Sequence, residues 1–264
     1  MAKLDSESFR TFEALVAQTG GTYSFDGETS VTGSRLLFEM VGEMGLDPMK
    51  TADLREGLRT LFNIEVYNMP DLTNGRFILA PNHVSDFDAI ILGLLHPRIR
   101  IVAKNDWTDN EKLKDFLSAH YDLYGLDRAS LQSLRGLLKD AVGYFKVGGD
   151  SRHYLVFSQG TISDFNNNSP ERVSSVAEKI SDKTGVPIVC MFIEQVSLYE
   201  PTRIIFDSPM TLSKKDDFRE VWLRREAALQ SALQPAARRP KLSYKHANNN
   251  KPGDLFFAPI TKET

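Results

Sequence analysis

Between residues 63 and 206 one pattern repeats: a short apolar run, a polar break, then a longer stretch with apolar residues three and four apart. Short apolar runs of this length read as buried strands, and the longer stretches as amphipathic helices. Strands are expected at 64–67, 76–80, 99–103, 122–124, 154–157, 186–193 and 203–206, and helices near 86–95, 110–119, 130–146 and 171–183. The helix at 130–146 is the clearest, with Leu134, Leu137, Leu138, Ala141, Val142 and Phe145 on one side and Ser130 as its cap. Strands alternating with helices predict an α/β fold, with a mostly parallel central sheet flanked by helices.

The flanks differ from this centre. Residues 1–62 read as a helical N-terminal subdomain, broken at Gly20-Gly21 and between Gly45 and Pro48. Leu37, Met40, Val41 and Met44 make an apolar stripe opposite Glu39 and Glu43. An acidic outer face is unsuited to an anionic membrane, so the stripe is expected to pack against the main domain or to cap an apolar ligand, with packing the commoner use of such a face. A last helix is expected at 215–233, marked by Phe218, Val221, Trp222, Leu229 and Leu233. The central domain is drawn at 63–235, and 236–264 is a tail carrying Arg238, Arg239, Lys241, Lys245, His246 and Lys251. Such a tail suits phospholipid headgroups or an acidic carrier protein, or is simply a solvated surface segment.

Composition narrows the function. A net charge of −3 argues against nucleic acid as the main partner. Cys190 is the single cysteine, so neither a disulfide framework nor a thiolate metal site is expected, and the remaining histidines lack ligand spacing. The N-terminus is polar, with no signal peptide, and no uncharged stretch is long enough to cross a bilayer. The expectation is a cytoplasmic protein whose membrane contact is peripheral. Neither G-x-S-x-G nor a G-x-x-x-x-G-K phosphate loop occurs.

Chemistry concentrates in residues 76–92. An apolar strand ends at Pro81 and Asn82, His83 follows at once, and Asp88 falls in the first turn of the next helix, capped by Ser85 or Asp86. Strand ends beside helix starts are where open α/β sheets place ligands. A carboxylate holding one imidazole nitrogen leaves the other free to take a proton from a hydroxyl or thiol. The spacing alone is weak; a histidine on a turn beside a helix start has the same pattern. Three later segments strengthen it: Leu126-Asp127-Arg128, the run from Phe157 to Ser163, and Val186-Pro187-Ile188-Val189.

In these four segments the sequence resembles the glycerolipid acyltransferase family, whose members acylate lysophosphatidic acid or glycerol 3-phosphate. Asn82, His83, Ser85 and Asp88 match the family's N-H-x-S-x-x-D block. Leu126, Asp127 and Arg128 match the end of the second block. Phe157, Gly160, Thr161 and Ser163 match F-P-E-G-T-R-S, and Val186 to Val189 match V-P-I-V. The resemblance implies an O-acyltransferase that moves a fatty acyl group from an acyl thioester, on coenzyme A or acyl carrier protein, to a glycerolipid-like acceptor. It needs no cofactor and no metal. His83 and Asp88 are the expected catalytic residues; Asn82, Ser85, Arg128, Gln159, Gly160 and Thr161 are the expected substrate contacts, with backbone N–H groups around Gly160 and Thr161 facing an oxyanion.

The third block departs from the family. Ser158, Gln159 and Ile162 stand where the family has proline, glutamate and arginine, and the second block has Asp122 in place of its leading glycine. The family's glutamate and arginine help hold a phosphorylated acceptor, so Arg128 is left as the matched cation for a phosphate. The alternatives are an acyltransferase for a non-phosphate acceptor, or a lipid-binding module of the same fold.

Overall fold

A computed structural model describes residues 40–83, 88–108, 118, 120–147, 151–160, 173–194, 201–213 and 216–233. The elements run α1 (Thr51–Leu61), β1 (Glu65–Tyr67), β2 (Arg76–Pro81), α2 (Asp88–Gly93), β3 (Ile99–Lys104), α3 (Asn105–Thr108), β4 (Asp122–Leu126), α4 (Leu131–Lys146), β5 (Arg152–Leu155), α5 (Val176–Thr184), β6 (Ile188–Ile193), β7 (Arg203–Phe206) and α6 (Phe218–Leu233). The strands form one sheet in the order β1-β7-β6-β2-β5-β3-β4. Every pairing is parallel except β6 with β7. This is the expected α/β architecture, with the reversal at β6–β7 supplying the exception to an all-parallel sheet.

Strand residues alternate between two apolar layers, as the pleat requires. Leu79, Leu155, Val189, Met191, Ile193 and Ile101 face one layer, which holds α1, α2 and the segment around Met40 and Val41. Ile78, Ala80, Tyr154, Ile188, Cys190 and Phe192 face the other, which holds α4, α5 and α6. With both faces covered, β6 is buried along its whole length and reads as an unbroken apolar run. Met40 and Val41 share the core of the sheet, as expected for packing against the main domain; Leu37 and residues 1–39 lie outside the described residues.

Several boundaries differ from expectation. β5 covers Arg152–Leu155, two residues earlier than 154–157, because His153 is fully buried and pairs with Phe77 and Ile99. α2 ends at Gly93: Leu94 and Leu95 make tighter i−3 bonds, and a Cβ on Gly93 would stand 2.7 Å from Ile101 and Tyr121. α5 starts at Val176 and stops at Gly185, whose φ of 71° ends the helix in the left-handed region. α6 starts at Phe218. The expected helix at 110–119 falls almost wholly outside the described residues. Ser130 caps α4 as expected, accepting from Ser133 N. Among the described residues, no helix is long and apolar enough to cross a membrane.

Candidate active site

The carboxyl ends of β2, β4 and β5 converge at one edge of the parallel region. β2 delivers His83 two residues past Pro81, and α2 opens on Asp88. The imidazole Nδ1 lies 2.9 Å from Asp88 Oδ2; Asp88 is fully buried, while the histidine side chain is 16% exposed. A buried carboxylate accepting Nδ1–H leaves the lone pair on Nε2, on the nitrogen turned away from Asp88. Leu79 and Leu155 are register partners on β2 and β5, so residues two and four positions on continue the same face. That register brings Phe157 under the histidine, with the rings stacked at 4.1 Å and 24° apart. Phe157 was matched in the sequence but not expected to touch His83; its place at a strand end beside Gln159 was the available signal.

Asn82 is 1% exposed, and both ends of its carboxamide are spent on one residue of β6. Its Nδ2 donates to the Ile193 carbonyl at 2.9 Å and its Oδ1 accepts the Ile193 N–H at 2.7 Å. Expected among the substrate contacts, it instead pins the start of the histidine loop to the sheet. Gln159 is 8% exposed, and its Oε1 accepts the His83 backbone N–H at 3.0 Å. Gly160 has a φ of 68°, and its N–H closes a turn on the Phe157 carbonyl at 3.0 Å. That N–H is therefore taken up by the turn, and Thr161, the other residue named for oxyanion contact, lies outside the described residues.

Arg128 follows β4 on a turn built by its neighbours. Asp127 accepts the Ala129 N–H through Oδ1, and its own N–H donates to Ser133 Oγ. The exposed Arg128 side chain then reaches over the third block: Nη1 lies 3.8 Å from where a Cβ on Gly160 would stand. Thus His83, Asp88, Phe157, Gln159, Gly160 and Arg128 meet at one end of the sheet. Ser85 and Thr161, also expected at the site, lie outside the described residues, as does Ile162.

The sequence model of the Acyltransferase family matches residues 63–194. None of the curated proteins matches the chain. Among solved structures, the chain is similar to the 1-acyl-sn-glycerophosphate (LPA) acyltransferase PlsC from Thermotoga maritima, at 13% identity and a TM-score of 0.47, over 87% of this chain and 96% of that one. With half of its length matched, and with the matched half carrying all four blocks and the His83–Asp88 pair, the chain belongs to the acyltransferase family.

Proposed function

We propose that this protein transfers a fatty acyl group from an acyl thioester, on coenzyme A or acyl carrier protein, to a hydroxyl of glycerol 3-phosphate or a lysophospholipid. The observation that carries the reading is the 2.9 Å contact between His83 Nδ1 and the buried Asp88 carboxylate. His83 Nε2 takes the acceptor hydroxyl's proton as that oxygen attacks the thioester carbonyl carbon. The tetrahedral intermediate collapses, the C–S bond breaks, and the imidazolium returns its proton to the leaving thiolate. Ester and free thiol result. Asp88 keeps the imidazole in the Nδ1–H tautomer and steadies its charged form, with the substrate supplying the oxygen that a serine supplies in a Ser-His-Asp triad. Arg128, above Gly160, pairs with the acceptor's phosphate.

Peripheral contact with the cytoplasmic face of a membrane fits a donor that is soluble and an acceptor that is a lipid. The test is release of free thiol from palmitoyl-CoA and from palmitoyl-acyl carrier protein, with lysophosphatidic acid, glycerol 3-phosphate or a neutral monoacylglycerol present. Acceptor-dependent thiol release is the expected result. Acyl binding without thiol release for any acceptor would leave a lipid-binding module.

A neutral acceptor is favoured by two departures, Gln159 in place of the family's glutamate and Ile162 in place of its arginine. Ile162→Arg separates the two: for a phosphorylated acceptor its KM falls or stays level, and for a neutral one it rises.

A further inference from the structure

Past the end of β2, the main chain of His83 is held in an unusual way. In the parallel pairing of β2 with β5, Val156 N–H donates to the Leu79 carbonyl at 2.9 Å and Ser158 N–H to the Pro81 carbonyl at 3.1 Å. Pro81 has no N–H, so the return rung at that position is missing. Continuing the ladder, the next donor is the His83 N–H and its regular acceptor is the carbonyl of Ser158. That carbonyl accepts from Ser174 N–H at 2.6 Å instead. Gln159 Oε1 receives the His83 N–H at 3.0 Å, so a side chain supplies the rung that the backbone does not.

We infer that Gln159 is a positioning residue for the acyl-transfer base: its carboxamide oxygen, by accepting the His83 N–H, fixes the imidazole between Asp88 and Phe157. The inference rests on the reading of His83 as that base. Gln159 is 8% exposed, so little water reaches this bond, and no rotamer of an apolar side chain replaces it. The position needs an acceptor oxygen at the reach of a five-atom side chain. A glutamate meets that need and a methionine does not. A carboxylate there would add a charge beside the imidazole, while the amide makes the same hydrogen bond without one.

Two variants test this, assayed by thiol release from palmitoyl-CoA with lysophosphatidic acid and by NMR on the 15N-labelled full chain. Gln159→Met is expected to lower kcat roughly 10- to 100-fold with little change in KM for the donor. It should also speed exchange of the His83 amide by about tenfold or more. Gln159→Glu, which keeps an acceptor oxygen at the same reach, is expected to restore most of the lost kcat and the slow amide exchange. Unchanged His83 amide exchange in Gln159→Met would overturn the inference, as would a Gln159→Glu variant as impaired as Gln159→Met. His83→Ala is run beside them: retained turnover there removes His83 as the base, while the amide-exchange result still decides what Gln159 holds.

Discussion

His83 Nδ1 and Asp88 Oδ2 lie 2.9 Å apart, with the carboxylate buried at the first residue of α2 and the imidazole partly exposed past the end of β2. Asp88→Asn replaces the acceptor with a group that can present N–H to Nδ1, which moves the ring proton to Nε2 and removes the lone pair needed for proton abstraction. The variant is expected to lose on the order of 10³- to 10⁴-fold in kcat. Its melting temperature should move little compared with that loss. A steady-state assay with palmitoyl-CoA checks the size; a kcat within tenfold of wild type would detach Asp88 from the base.

Asn82 makes a separate prediction, on stability as well as rate. Its carboxamide answers both the N–H and the C=O of Ile193 at a fully buried strand end. Asn82→Ala leaves those two groups without partners, at a cost of roughly 2–4 kcal/mol. Denaturant unfolding should show that loss, and kcat should fall with it, because the loop carrying His83 is no longer tied to β6. An unchanged unfolding midpoint would mean that Ile193 finds other partners.

His153 carries the third prediction, on pH. Burial in the core pushes its imidazole down to about 4, with the nearby His96 adding a smaller push the same way. The Leu72 carbonyl, 3.0 Å from Nε2, fixes the neutral tautomer that donates there and acts in the opposite sense. The unfolded chain binds this proton near 6.5 and the folded one near 4, so the neutral side chain's contribution is complete above about 6.5. It is lost as pH falls through that window and levels off below it, roughly 3 kcal/mol in all. Thermal unfolding of the wild type and of His153→Gln between pH 7 and 4 measures it. The variant should melt lower at pH 7 and decline less steeply; parallel curves would contradict the assignment.

What the sequence disclosed and what it hid divide along contact distance. His83 and Asp88 are five residues apart on a strand–turn–helix unit, so local pattern alone brought them together. Ser130 as a cap is equally local. Asn82 and Ile193 are 111 positions apart, and their contact depends on β6 lying beside β2, which no local signal encodes. The same holds for Phe157 under His83, which requires β5 as the neighbour of β2. Arg128 was visible through its block, yet its approach to Gly160 follows from two strand ends on either side of β3. The direction of β7 was not legible: an apolar run carries no direction, and the antiparallel pairing with β6 and the parallel pairing with β1 are tertiary.

The most direct measurement is turnover of His83→Ala against wild type, as thiol released from a long-chain acyl thioester in the presence of acceptor, with thermal unfolding recorded on the same samples. Turnover should drop to background while the melting temperature stays near the wild-type value, since the ring is removed from a partly exposed position and not from the core. Turnover that survives the substitution would contradict the account.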